Sequence, residues 1–462
     1  MKVGVLGGGI AGLAATWALA RGGHAVTLLE RDPRVGGKIR TLTRAGFRFE
    51  AGPDSFLTTK PHALELCRAL GLEDELVRAA PGPTYVWSRG RLHRLPRGTR
   101  LLPTRLGPLL ASDLLTPLEK ARAAFDLFLP GGGGEGDESL ASLVGRRMGR
   151  AVVDRIAAPL LAGIHAADPE RLSVHATFPA LRDAERSHGS LMRGLGAQAE
   201  PAPSAPPFAT LAGGLERLVE RLVASLTGVD LRTDSEVTAL IRHGSGWRIA
   251  AGGAPEIDAE AIVVAVPSWA AAPLLAPHAP RAAALLGAVE WVSTAVVTLG
   301  YHAGDAPPLA GHGFVVARDQ PARITGCTWV SAKWPGRAPE GTVLLRAYLG
   351  HAGDPLELAA SDEALAALAR ADLARAIGLA AEPILVDVAR WPRAMPQLEV
   401  GHLARLEAAE RELARLPRIA LAGAGYRGSG IPDCVAQALR AADLVTSEAA
   451  DGVLQKSDRT RV

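Results

Sequence analysis

Apolar positions along the chain change period several times, and each change marks an element. Residues 2–6 form an apolar run too short for a helix and followed at once by glycines, which predicts a buried strand. Leu13, Trp17 and Ala20 then recur at helical spacing as far as Arg21, where Gly22 and Gly23 end the helix. A second apolar strand, 25–29, closes on Glu30. Residues 46–50 alternate as a half-buried strand does, and 61–70 read as an amphipathic helix stopped by Gly71. Helical pattern runs through 139–161, and Gly213 and Gly214 open another amphipathic helix ending near Leu226. Strand patterns follow at 230–232, 236–242, 247–250 and 261–266, a return to the sheet begun by the first strand. Residues 292–301, 313–317, 324–329 and 343–349 are again strand-like, and 361–377 is a helix with Leu365, Leu368, Ala369 and Leu373 on one face. A strand at 384–388 precedes Trp391. The last unit is a strand from Arg418, a glycine-rich loop, and a helix entered at Pro432 and running to about residue 450.

This order predicts an α/β Rossmann-type domain, a second layer of mixed α+β type, and a helical insertion between about 96 and 176. The length of 462 residues agrees with two or three domains rather than one core. Residues 129–136, rich in glycine, read as a flexible loop, and 196–207, rich in alanine and proline, as a linker.

Composition narrows the function classes. An apolar content of 48% with 21% charged residues is that of a globular protein, and a net charge of +3 does not indicate nucleic acid. The three cysteines, Cys67, Cys327 and Cys434, are far apart and form no C-x-x-C, so neither a disulfide framework nor a zinc site is expected. The apolar N-terminus carries its glycines in the wrong place for a signal peptide, and no window reaches eighteen uninterrupted apolar residues. The expected location is the cytoplasm. One stretch is unusual: residues 76–112 contain no acid but hold Arg78, Arg89, Arg91, Arg94, Arg97, Arg100 and Arg105. Such a run is a solvated face, a groove for an anionic substrate, or a surface that rests on acidic lipid.

The chemistry is concentrated at the two ends. Gly7, Gly9 and Gly12 give G-x-G-x-x-G between a strand and a helix. The first glycine permits the turn, the second lets backbone N–H groups approach a pyrophosphate, and the third lets helix and sheet pack closely. The helix N-terminus turns its partial positive charge to the phosphates. Glu30 is placed to accept both ribose hydroxyls, which favours FAD or NAD over a 2′-phosphorylated dinucleotide. Arg34-Val-Gly-Gly-Lys-Ile-Arg40 adds a second glycine pair, as in large flavoprotein oxidases, and decides for FAD. Gly52-Pro53 after a strand would bring backbone N–H groups close to the cofactor. Val237, at the start of a strand, is placed to pair its backbone with adenine. At the other end, the amides of the loop before Ile431 and the N-terminus of its helix can hold an anion, such as the charge gathering on a reduced flavin ring.

Gly7 to Gly12, Glu30, 34–38, 52–56 and Gly430-Ile-Pro-Asp-Cys434 together resemble the flavin-dependent porphyrinogen oxidases of haem synthesis. Cys327-Thr-Trp329, Lys333-Trp334-Pro335, Ala338-Pro-Glu-Gly341, Leu344-Leu-Arg-Ala-Tyr348, Trp391, Met395-Pro-Gln397 and Gly401-His402 are similar to the Gram-positive type. The resemblance spans nearly the whole chain. It implies an interleaved FAD-binding domain (1–58, 205–268 and 385–455), a substrate domain (59–95, 177–204 and 269–384) and a helical domain (96–176) that in some relatives touches membranes. It also implies a reaction: a porphyrinogen (coproporphyrinogen III, protoporphyrinogen IX or both) loses six electrons in three cycles. In each cycle a ring carbon passes hydride to flavin N5, and O2 is reduced to peroxide. Non-covalent FAD should then touch Gly7, Gly8, Gly9, Ile10, Ala11, Gly12, Glu30, Arg31, Lys38, Gly52, Pro53, Asp54, Ser55, Val237, Trp391, Ala424, Ser429, Gly430 and Ile431. Lys60 matches a lysine near the substrate. Thr84 stands where relatives acting on protoporphyrinogen often carry a propionate-holding arginine, so anchoring is expected of Lys60 or of Arg89, Arg91, Arg94 and Arg97. No catalytic base is indicated. The resemblance further implies a peripheral membrane contact and hand-over of product to a downstream haem-synthesis enzyme. The rival readings are an amine oxidase or desaturase on the same fold, and a non-catalytic binder.

Overall fold

The computed structural model describes residues 1–99, 101–132, 134, 136–197, 207–252, 255–354 and 359–447. Most of the expected linker, together with Arg100, lies outside them, and the last helix, expected to reach about 450, ends at Thr446.

The first sheet has five parallel strands in the order Asp230–Arg232, Ala25–Leu29, Lys2–Leu6, Ala261–Val264, Ile419–Leu421. Its strands thus come from three separated parts of the chain, with Val3 opposite both Val26 and Ala261, and Val264 opposite Leu421. Both faces are covered, which is why the central strands, Lys2–Leu6 after its first residue and Ala261–Val264, read as unbroken apolar runs rather than alternating ones. Ile10–Arg21, Glu216–Ser225, Pro61–Ala69 and the closing helix Ile431–Thr446 cover one face, where Val5, Leu13, Leu28, Leu218 and Val435 are buried together. On the other face, a three-stranded antiparallel sheet (Val237–His243, Gly246–Ala251, Ile257–Ala259) packs with the helices Ser268–Leu275, Pro280–Gly287 and His402–Leu413. These three helices were not assigned from sequence.

The second sheet has seven strands, in the order Leu385–Pro396, Trp291–His302, Thr342–Leu349, Ile324–Trp329, Gly313–Val316, Thr84–Ser88, Arg91–Arg94. The helix Asp362–Ile377 lies on one face, with Leu365, Ala369 and Leu373 packed on Val297, Leu299 and Leu345 as its periodicity predicts. Ser361 caps that helix by accepting the Ala364 N–H at 3.2 Å.

Two expectations need correction. The strand expected at 384–388 continues through Trp391 to Pro396. It is an edge strand, paired only with Trp291–His302, and an edge tolerates Pro392 and Pro396 because no ladder bond is required of them. The helix expected over 139–161 is broken after Leu140–Met148 by Gly149, at φ 92°, and resumes in pieces that end with Ala158–His165. These pieces and the helices Leu106–Ala111, Pro117–Ala124, Pro179–His188 and Leu191–Ala197 share a core of their own, which includes Leu143, Val153, Leu161 and Leu191.

Candidate active site

The opening turn is built as its glycines require. Gly7 has φ 100°, in the left-handed region, and its N–H donates to the Leu29 carbonyl at 2.7 Å. A Cβ on Gly12 would collide with the Gly7 carbonyl oxygen, so that position sets how closely helix and turn approach. A Cβ on Gly9 would meet nothing within 4 Å. The turn therefore leaves open space in front of Gly9, the N-cap of a helix whose first residues are Ile10 and Ala11. The second glycine pair closes over it. Gly36 donates to the Gly8 carbonyl at 2.7 Å, and a Cβ on Gly37 would lie 3.2 Å from Gly9 Cα.

Glu30 is buried against this loop. Its carboxylate accepts the Gly8 N–H at 2.6 Å and the Asp32 N–H at 2.9 Å. Each oxygen keeps a further lone pair for a ribose hydroxyl. The Glu30 carbonyl accepts the Ser235 N–H at 2.8 Å, which brings the strand beginning at Val237 to the same edge. Arg31 is exposed, 3.4 Å from Asp32, and its guanidinium stands 5.9 Å from the Trp269 ring.

The closing loop reaches the same place. A Cβ on Gly423 would lie 3.9 Å from Ala11 Cβ, and one on Gly425 would meet the Trp291 ring 2.5 Å away. Ala424 lies between them, and Ser429 and Gly430 lead into the helix Ile431–Thr446, of which Gly430 is the N-cap. Lys38 crosses under this loop. Its ammonium donates to the Ala394 carbonyl and lies 5.3 Å from the Trp291 ring. Burial lowers its pKa to about 8, against a small opposing effect of Cys434. Trp391 donates to the Ala51 carbonyl at 2.8 Å, and its ring would be 3.6 Å from a Cβ on Gly52. Gly7 to Gly12, Glu30, Lys38, Gly52, Trp391 and 424–431 are thus brought together from both ends of the chain.

Behind Gly52 and Pro53 lies a charge cluster that the sequence reading did not assemble. Asp54 accepts the Ser55 hydroxyl at 2.7 Å, and its other oxygen faces Lys333 and the Trp334 indole N–H, each at 3.3 Å. Arg346, 1% exposed, lies 3.8 Å from the same oxygen and donates to the Gly52 carbonyl at 2.5 Å. Burial alone would raise the pKa of Asp54, but Lys333 and Arg346 outweigh it and hold the carboxyl well below its usual range. Lys333 and Arg346 stand in motifs quoted above, but their closure onto Asp54 spans about three hundred residues and has no local signal.

The basic stretch divides. Arg89 and Gly90 form the left-handed turn of a two-residue hairpin, at φ 51° and 77°, on the edge of the seven-stranded sheet opposite Trp391. Arg89 donates to the carbonyls of Asp113 and Leu114 at 2.9 and 2.8 Å, and Arg91 pairs with the Asp113 carboxylate at 3.1 Å. Both therefore tie the hairpin to the first acid after the acid-free run. Arg94 and Arg97 are exposed on this same edge. The hairpin is not brought to the glycine loops. Lys60 is: its ammonium lies 2.7 and 2.9 Å from the two oxygens of Asp433, in the first turn of the closing helix.

A glycine turn on a helix N-terminus, a buried acid against that turn, a second glycine pair and a closing helix aimed at the same point are the features of a flavin-dependent oxidoreductase. The open space at Gly9, the lone pairs of Glu30 and the two converging helix ends fit FAD. The chain belongs to the family of flavin containing amine oxidoreductases, whose profile matches residues 10–446. It is 37% identical over 449 residues to the coproporphyrinogen III oxidase of Bacillus subtilis (strain 168), covering 94% of this chain and 95% of that protein. A crystal structure from Exiguobacterium sp. 255-15, provisionally named protoporphyrinogen oxidase, superposes with a TM-score of 0.86 at 34% identity, over 96% of this chain and 98% of that one. Cyclohexylamine oxidase from Brevibacterium oxydans IH-35A shares the fold, with a TM-score of 0.69 at 18% identity over 98% of this chain and 99% of that one.

Proposed function

We propose that this chain is an FAD-dependent oxidase that converts a porphyrinogen to the porphyrin in haem synthesis, with coproporphyrinogen III as the preferred substrate. The observation that carries the substrate assignment is the near-full-length likeness to a coproporphyrinogen III oxidase. The balance is six electrons and six protons lost per macrocycle, with three O2 reduced to three hydrogen peroxide. FAD, when bound, supplies the two-electron acceptor. The protein's part is to bind and orient. Amides of the turn at Gly8 to Gly12 hold the pyrophosphate, Glu30 the ribose and the strand from Val237 the adenine. Lys38, Gly52, Pro53, Asp54, Ser55, Trp391, Ala424, Ser429, Gly430 and Ile431 surround the ring system, with Arg31 beside the ribose. In this reading the five-stranded sheet and the glycine loops at its edge bind cofactor, and the seven-stranded sheet faces the substrate. Steady-state turnover of coproporphyrinogen III and protoporphyrinogen IX, read as porphyrin fluorescence and peroxide, tests it. Porphyrin at one third of the peroxide, formed faster from coproporphyrinogen, is expected. A flavin-loaded protein that oxidises neither overturns it.

Lys60 is the substrate-anchoring cation in this reading, because it stands at the closing loop whereas Arg89 and Arg91 are held by 113–114. Lys60→Gln should raise KM for coproporphyrinogen about tenfold, ~1.4 kcal/mol, with kcat little changed. An unchanged KM removes Lys60 from the pocket.

The helical part, 96–176, is proposed to rest on a lipid surface. Among the described residues no helix is long and apolar enough to cross a membrane. Yet Leu118 and Phe128 are 82% and 76% exposed, and Leu110 and Phe125 stand out beside them. The Phe125 and Phe128 rings lie 6.2 Å apart. A cluster of this kind suits peripheral contact. Flotation with anionic vesicles should carry the protein upward, and L118D/F128D should stay in the dense layer; identical flotation of both argues against this surface.

A further inference from the structure

One histidine at the meeting point of the helical region and the closing loop has no part in the assignments above. His165 ends the helix Ala158–His165, and Ala166 then turns the chain left-handed at φ 49°. Its Nδ1 is 3.3 Å from the Ser429 hydroxyl, one residue ahead of the N-cap of the closing helix. Phe178 packs edge-on against the imidazole, with ring centres 5.7 Å apart. The Lys60–Asp433 ion pair is near enough for both charges to act on the ring. Among the described residues the hydrogen-bond contact of the ring is made at Nδ1, and the residue is half-buried rather than sealed.

We propose that His165 is a catalytic residue of porphyrinogen oxidation, whose Nε2 accepts the proton released from a pyrrole nitrogen. This rests on the function proposed above. In each two-electron step a bridge C–H bond breaks and its hydrogen leaves with both electrons, FAD when bound supplying the acceptor. In two of the three steps a pyrrole N–H bond breaks, its electrons remain on the macrocycle to complete the new double bond, and the proton passes to Nε2. Between steps that proton leaves to solvent. In the third step the proton comes from the remaining bridge carbon, so that four C–H and two N–H bonds break in all. The role needs the tautomer protonated at Nδ1, with that N–H donating to the Ser429 oxygen, so Ser429 sets which nitrogen faces the substrate.

The surroundings of the ring keep it unprotonated until substrate is seated. Burial first, and then the Lys60 cation, lower its pKa to about 4, while Asp433 pulls the other way. Ser429 and Phe178, the other neighbours, carry no charge. The ring is therefore neutral and free to take a proton at neutral pH. A substrate propionate placed on Lys60 cancels the cation that depresses it, so proton affinity rises when the macrocycle is seated. A general base of this kind typically contributes a factor of about a hundred or more.

Anaerobic mixing of the FAD-loaded protein with coproporphyrinogen III, read as bleaching of the flavin band, tests the proposal. His165→Gln and His165→Ala should slow bleaching about a hundredfold, with FAD affinity and KM within about twofold, and free imidazole should restore part of the His165→Ala rate. NMR of labelled histidine in the wild-type holoprotein supplies a readout other than turnover. The His165 signal should titrate at about pH 4 alone, and higher with the product coproporphyrin III bound. Variants that bleach at the wild-type rate, or a His165 titration unmoved by coproporphyrin, overturn the role of His165 alone. A wild-type protein whose flavin no porphyrinogen bleaches overturns the proposed function and this role with it.

Discussion

Gly9→Ala is expected to leave the apoprotein as stable as the wild type while weakening FAD binding at least about tenfold. A Cβ at Gly9 meets no protein atom within 4 Å, and its φ of −68° is one that alanine adopts freely. The methyl group therefore enters only the space in front of the helix N-terminus, which the proposed function gives to the pyrophosphate. Gly12→Ala provides the contrast. There the Cβ collides with the Gly7 carbonyl oxygen, a backbone atom fixed between two strands, and also lies 3.4 Å from Ala265 Cβ. Gly12→Ala should lose stability and FAD together. Thermal unfolding of apoprotein, paired with FAD titration by fluorescence quenching, separates the two. Wild-type FAD affinity in Gly9→Ala would mean that the phosphates lie elsewhere.

How much of this was legible in the sequence depended on how local the determinant is. The opening unit was, because strand, turn, helix and acid follow one another within Lys2 to Glu30, and each residue's role is set by its immediate neighbours. The closing helix was, because Gly430 and Pro432 mark its start regardless of what surrounds it. The edge strand through Trp391 was misjudged at its far end, since prolines break the pattern and only sheet order explains their presence. The basic run illustrates the same limit. Its freedom from acids is real along the chain, but Asp113, one residue beyond it, folds back onto Arg91. Lys60 and Asp433 are 373 residues apart, and neither carries a local sign of the other. His165 lay past the helical pattern of 139–161, in an insertion to which no chemistry was assigned; its meaning comes from Ser429, Phe178 and Lys60, which no periodicity connects to it.

The largest loss of stability is expected from Asp54→Ala, about 3–5 kcal/mol, because it removes the anion from a buried cluster and leaves its cations in place. Lys333 and Arg346 both face that carboxylate, with side chains 12% and 1% exposed. Among the described residues the Nε of Arg346 is already without a partner, so no spare acceptor there waits to take over. The damage should spread to the cofactor. Arg346 also holds the Gly52 carbonyl, and Gly52 stands between the Lys38 carbonyl and the Trp391 ring. Asp54→Ala should therefore release FAD at a lower guanidinium concentration than the wild type. D54A/R346M should recover part of the loss, since the stranded cation is gone. Acid gives an independent check. The folded-state pKa of Asp54 is depressed below the unfolded value of about 3.9, so its contribution is complete above that value and is lost as pH falls toward the folded pKa. Stability of the wild type should thus decline more steeply below about pH 4 than that of Asp54→Asn. Parallel acid-unfolding curves for the two proteins would show that the carboxylate is not paired as described, and an Asp54→Ala protein with unchanged guanidinium midpoint would show that the cluster does not hold the turn.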